Sequence, residues 1–165
     1  PFLYILNKKA GGKNLDEMND ERYLKLLAYF KERGDQYVVV DAKIEEELSD
    51  FDGDEKKMFA QELGAEGDGV DDLIVSAYKL LGLMTYFTTG EDESRAWTIK
   101  VGSTAPIAGM AIHTDFKDKF IRAEVINWND LLTSGSYGTA RERGLVRTEG
   151  KEYIVKDGDV IEFKI

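Results

Sequence analysis

The 165-residue chain has no cysteine, two prolines and a single histidine. Without thiols it has no disulfides, thiolate metal sites or cysteine nucleophiles, and the absence suits a reducing cytoplasm. One histidine supports no Ser/His/Asp triad. His113 with Asp115 supplies too few ligands for a metal site. The pattern G-x-x-x-x-G-K-[ST] is missing, so nothing here cradles phosphates or holds Mg²⁺ as a phosphate loop does. The chain as it stands is expected not to hydrolyse a nucleotide. No apolar run reaches the roughly 18–20 residues of a membrane span, and no signal peptide is visible. The sequence opens at Pro1 and runs straight into "FLYIL", which reads as a fragment with residues missing upstream.

What is present is enough for a folded protein. At 42% hydrophobic and 33% charged residues, the chain can bury a core. Its net charge of −10 is uneven: residues 1–83 carry 11 Lys/Arg against 19 Asp/Glu, residues 84–165 carry 11 against 13. Nucleic-acid affinity comes largely from neutralising phosphates, so the acidic first half is a poor candidate for that contact. The nearly balanced second half retains room for a local basic face. Neither DNA nor a membrane is expected as a partner.

The hydrophobic pattern changes near residue 84. "FLYIL" (2–6) and "YVVV" (37–40) are short apolar runs that fit strands buried on both faces of a parallel sheet. Between them Tyr23, Leu26, Leu27 and Phe30 form a helix stripe, with Asn19 as its expected cap and Gly34 after its end. Strand, helix, strand makes a βαβ unit. Residues 44–64 are acidic and predict two helical pieces broken at Asp52-Gly53. Residues 68–83 predict a helix capped by Asp68, with Val70, Leu73, Ile74, Ala77, Leu80 and Leu81 on one face.

Beyond residue 84 the period is mostly two. "RAWTIKV" (95–101) and "FIRAEVI" (120–126) alternate as half-buried strands. "STAPIAGMAI" (103–112) predicts a short helix capped by Thr104 with Pro106 in its first turn. Residues 129–144 are Gly-broken, part helix and part loop. "EYIVKDGDVIEFKI" (152–165) predicts a hairpin turning at Asp157-Gly158. Trp97, Trp128, Phe116 and Phe120 are expected in the core. Together these segments describe an α/β unit over 1–83 followed by a small α+β domain over 84–165.

Open α/β sheets bind ligands where their strands end. The first end reads Asn7-Lys8-Lys9-Ala10 and the second Asp41-Ala42-Lys43. The pair resembles the base-recognition motif Asn-Lys-x-Asp and the Ser-Ala-Lys loop of GTPases. In that motif the Asn bridges base and phosphate loop, the Lys stem lies on the base, and the closing carboxylate accepts guanine N–H donors. Ala10 accepts nothing, so strong GTP specificity is not expected. Asn7 as a turn cap after a strand is the simpler reading. His113 likewise has two readings. It closes the predicted helix, where it bonds free carbonyls, or it is a surface imidazole that stacks on an unpaired base, with Lys117, Lys119 and Arg122 reaching phosphates.

The series "TYFTTG", "RAWTIKVGSTAP", "IHTDF", "FIRAEV" and "EGKEYIVKDGDVIEF" closely resembles the C-terminal region of the YchF/Obg-like ATPase family. That resemblance implies a TGS domain, a β-grasp (ubiquitin-like) fold, over 84–165. "FLYILNKKA", "VVVDAKIEEEL" and "FAQELG" look like the second half of the family's P-loop G domain, so 1–83 is expected to be a partial G domain. The resemblance implies a cytoplasmic ATPase that prefers ATP to GTP, uses Mg²⁺ in its full-length form, and associates with the ribosome or RNA through the TGS domain. Its base motif has the form Asn-x-x-Glu, from which this chain departs at Ala10. What carries over to the base site is Asn7, Lys8 and the Ala42 backbone N–H. Two rival readings stand beside it: a TGS-containing interaction module with no nucleotide role, and a TGS domain from another parent such as a synthetase, which the preceding βαβ unit fits poorly.

Overall fold

A computed structural model describes residues 2–63, 69–90 and 93–165. They form two compact units, Pro1–Leu81 and Gly82–Ile165.

In the first unit, β1 (Leu3–Asn7), α1 (Glu21–Arg33) and β2 (Gln36–Val40) make the expected βαβ crossover, with β1 and β2 parallel and Leu3 opposite Gln36. The α1 stripe faces this sheet. Phe30 is buried, with its ring 4.7 Å from that of Tyr4 and 5.3 Å from that of Tyr37. The α1 cap is Asp20 rather than Asn19: its Oδ1 accepts from the Arg22 backbone N–H at 2.8 Å and from Arg22 Nε at 2.9 Å. Asn19 instead turns the chain into the helix with a φ of 51°. A carboxylate that satisfies a backbone donor and a guanidinium at once outcompetes an amide one residue earlier. Gly34 ends the helix in the left-handed conformation, as expected.

Two short helices follow, α2 (Ala42–Leu48) and α3 (Gly53–Glu62), divided at Asp52-Gly53 where Gly53 has φ 58°. The last element of this unit is α4 (Gly69–Leu81). The expected cap, Asp68, lies outside the described residues. The α4 stripe is only partly covered: Leu73, Ala77 and Leu80 are half-buried, whereas Val70, Ile74 and Leu81 are exposed. The strands likewise depart from the two-sided burial expected of them. Val38 and Val40 are buried, but Ile5 is 54% exposed. A two-stranded sheet covered on one side leaves its other face open.

The second unit carries a five-stranded mixed sheet in the order β4-β3-β7-β5-β6. Its first hairpin joins β3 (Leu83–Thr89) to β4 (Ser94–Lys100), antiparallel. Then come α5 (Ala105–Gly109), α6 (Asp115–Asp118), β5 (Arg122–Asn127), α7 (Trp128–Ser134), α8 (Tyr137–Glu142), β6 (Arg147–Glu149) and β7 (Asp159–Lys164). The first and last strands, β3 and β7, run parallel at the centre. Strand alternation sends side chains to two cores. Tyr86, Ile99, Ala123, Val125 and Ile161 pack with Ala105, Ala108 and Phe120, while Ile126 and Val160 pack with Ala140.

Two predicted elements differ here. Residues 152–156 do not form a hairpin with β7, whose neighbours are β3 and β5. Their backbone is taken by the segment before α5: Ala105 N donates to Tyr153 O at 2.8 Å and Val155 N to Ser103 O at 3.0 Å. The Asp157-Gly158 turn feeds β7 alongside β3 instead, with Asp157 Oδ1 accepting from Thr85 N at 2.8 Å. The helix predicted over 103–112 stops at Gly109. A Cβ at that position would lie 2.8 Å from the Phe116 Cβ, so the closeness of α6 depends on glycine there. Of the four aromatics expected in the core, Phe120 is buried and Trp97 and Phe116 are half-buried, but Trp128 is 48% exposed. Its ring lies over Gly158, where a Cβ would come within 2.6 Å of Trp128 Cδ1.

Candidate nucleotide cleft and the His113 segment

The polar ends of β1 and β2 meet in the first unit. Parallel pairing sets Asn7 opposite Val40, and the ladder runs on through Lys8 N to Val40 O at 2.7 Å. Asp41 then caps α2, its Oδ1 accepting from Lys43 N and Ile44 N, both at 3.1 Å. This turns the Ala42 N–H toward β1, where Asn7 Oδ1 accepts it at 3.0 Å. Two of the three base-site residues expected from sequence, thirty-five positions apart, are therefore in direct contact.

The third, Lys8, lines an adjoining cleft of about 340 Å³. Its Nζ lies 2.8 Å from Glu17 Oε1 and 3.2 Å from Asp16 Oδ2, and all three side chains line that cleft. The Glu17 hydrogen bond, aided by Asp16, raises the Lys8 pKa above its ordinary value. The same bond, with two from Asn14, lowers that of Glu17. Asn14 also folds the loop back on itself, accepting from Lys9 N at 2.8 Å and donating to Lys9 O at 3.2 Å. Ala10 is half-buried and offers no polar side-chain atom. Asn14, Asp16 and Glu17 were not singled out from sequence. They belong to no motif, and their pairing with Lys8 depends on how an irregular loop closes.

In the second unit, His113 follows α5 without ending it. Its backbone N–H donates to Gly109 O at 3.2 Å, and its Nδ1 accepts from Asp115 N at 3.2 Å, the first residue of α6. The ring therefore caps the start of one helix instead of binding the free carbonyls of another, and the proton of the neutral ring sits on Nε2. Its side chain is 64% exposed. Asp115 also pairs with Lys119 at 2.5 Å, which holds the Asp115 carboxyl below its ordinary value. Lys117 and Arg122 are exposed, Arg122 at the start of β5 opposite Lys164. His113, Lys117 and Lys119 thus share one short segment, and Arg122 stands at the strand that follows it.

Among the described residues no group of three His, Asp or Glu side chains is placed to hold a metal ion. No described helix is long and apolar enough to cross a membrane.

The family model YchF-GTPase_C, described as a protein of unknown function (DUF933), matches residues 83–165. The chain belongs to the YchF family. The likeness extends to both units. The ribosome-binding ATPase YchF of Bacillus subtilis is 47% identical over 99% of the chain, and that of Escherichia coli O157:H7 is 44% identical over 99%. The structure of the Schizosaccharomyces pombe YchF GTPase superposes with a TM-score of 0.83 at 32% identity, covering 99% of this chain and 43% of that one. The chain spans 44% of the length of either bacterial YchF. Because the YchF likeness runs through β1, β2 and the cleft as well as the C-terminal sheet, both units are to be read within one family.

Proposed function

We propose that this chain is the later portion of a ribosome-associated P-loop ATPase, with the first unit forming the base-side half of its G domain and the second a TGS domain. The Asn7–Ala42 contact at the ends of two parallel strands carries the nucleotide reading. Lys8 brings a four-carbon stem to the cleft, and Asn7, whose Oδ1 is taken by the Ala42 N–H, leaves its carboxamide N–H₂ to meet a base. These groups suit the flat edge and face of a purine. ATP is the expected nucleotide, GTP the poorer one, since Ala10 supplies no carboxylate for guanine. The phosphates and Mg²⁺ fall to residues outside this chain, which holds no phosphate-loop sequence, so the chain by itself is expected to turn over no ATP.

The order β4-β3-β7-β5-β6, with a parallel central pair, supports a β-grasp reading of the second unit. The names of the bacterial relatives support a ribosomal partner. RNA contact is assigned to the exposed face around His113, Lys117, Lys119 and Arg122. The cytoplasm is the expected location, and neither DNA nor a membrane is a proposed partner.

Titration of the full-length protein with ATP, GTP and ADP tests the nucleotide half. Saturable ATP binding should be lost in Asn7→Ala. No saturable binding of any of the three by the unsubstituted protein would favour an interaction module without nucleotide, and ATP binding unaltered by the change would remove Asn7 from the site. Ribosome co-sedimentation tests the other half: His113→Ala should spare ATP turnover and weaken association, and weakened association with an unchanged melting temperature marks a contact, whereas a lowered melting temperature marks the loss of the α6 cap.

A further inference from the structure

The cleft presents a conflict in its charges. Position 10 lacks the closing carboxylate, yet the same loop brings two others to the cleft, Asp16 and Glu17. Guanine offers adjacent N–H donors on one edge, which an unengaged carboxylate accepts as a pair. Adenine offers one exocyclic amine beside ring acceptors. A free loop carboxylate would therefore restore what Ala10 removes.

Neither carboxylate is free. Lys8 Nζ sits between them, 2.8 Å from Glu17 and 3.2 Å from Asp16, and Glu17 also accepts from Asn14. Of the other two carboxylates lining the cleft, Asp41 caps α2 and Glu45 stands on that helix, not on the loop. We propose that the Lys8–Asp16–Glu17 cluster sets purine selectivity: Lys8 occupies the two loop carboxylates that would otherwise accept guanine's donors. This rests on the nucleotide reading above and adds to it a role for the Lys8 charge, separate from its stem. The cluster excludes guanine by pairing its acceptors internally, since a guanine edge would have to displace an ion pair to reach them.

The test measures ATP and GTP affinities of the full-length protein by calorimetry. Lys8→Met keeps the unbranched stem and removes the charge. It should tighten GTP relative to ATP by about tenfold, the scale of one hydrogen bond to a freed charge. Adding Asp16→Asn and Glu17→Gln to that variant should return the ratio toward wild type. Lys8→Gln serves the same purpose if the Met variant fails to fold. A GTP:ATP ratio within twofold of wild type in the charge-removed variant overturns the proposal, as does a shifted ratio that persists after both carboxylates are neutralised. Asn7→Ala separates the two levels. If it abolishes ATP binding while the ratio ignores Lys8, the nucleotide reading stands and the selectivity proposal falls. If it leaves ATP binding intact, the base site placed at Asn7 falls, and the selectivity proposal with it.

Discussion

Tyr86 shows how one side chain ties the second unit together. It is fully buried, its phenol donates to Ala108 O at 2.9 Å, and its ring meets Phe163 edge-on at 5.9 Å. Burial drives its pKa upward, so the hydroxyl stays protonated and remains a donor throughout the neutral range. Tyr86→Phe keeps the ring and leaves the Ala108 carbonyl without that donor. It should cost about 1–2 kcal/mol in denaturant unfolding, with the sheet pattern preserved in backbone chemical shifts. Ala111 N also donates to that carbonyl at 3.0 Å, and a neutral result would mean that this bond alone satisfies it. From the sequence Tyr86 stood only within the family motif "TYFTTG", in no stripe that marked it as core. Its alternation with Met84 in "LMTYFTT" is legible only once the strand is known.

At the scale of elements, agreement was best where a local rule was not contested. The α1 stripe, the Gly34 stop and the break at Asp52-Gly53 follow from periodicity and glycine conformation alone. Failures came where a distant segment claimed the backbone. An Asp-Gly pair between two apolar runs is a sound hairpin signal, yet residues 103–105 take the hydrogen bonds of 153–155. The helix predicted to reach residue 112 has suitable residues throughout, but the approach of α6 bends the chain after Gly109. The candidate cleft divides in the same way. Asn7 and Ala42 were legible because strand ends have fixed positions, whereas Asp16 and Glu17 depend on a loop. Gly109→Ala tests the close approach. The added methyl must displace Phe116, whose Cβ lies 2.8 Å from it, and overpacking of this kind costs about 1–3 kcal/mol. The expected readout is a lowered melting temperature together with shifted resonances in α6 and at His113, with β5 little affected. Unchanged α6 resonances would show that the two segments yield without separating.

On the scale of the whole chain, the two units differ in how much they bury. Tyr86, Val125, Ile126 and Ile161 are each at most 2% exposed in the second, where strands are paired across a five-stranded sheet. The first unit has buried Phe30, Val38, Val40 and Leu48, a two-stranded sheet, and Phe2, Ile5, Ile74 and Leu81 at 77%, 54%, 49% and 52% exposure. Apolar area left in water contributes no hydrophobic stabilisation, at about 25 cal/mol per Å² forgone, and two paired strands alone are marginal. The edges of β1 and β2 also present backbone groups to any chain that will pair with them. Amide exchange of the isolated chain should therefore release β1 and β2 well before β5 and β7. On heating, signals from the first unit should fade before those of the second. Raising the concentration should promote association through the first unit, detected as growth in sedimentation coefficient. Equal protection of β1 and β5 amides in a monomeric sample would contradict this ordering, because two sheets so unequal in burial would then be opening in a single step.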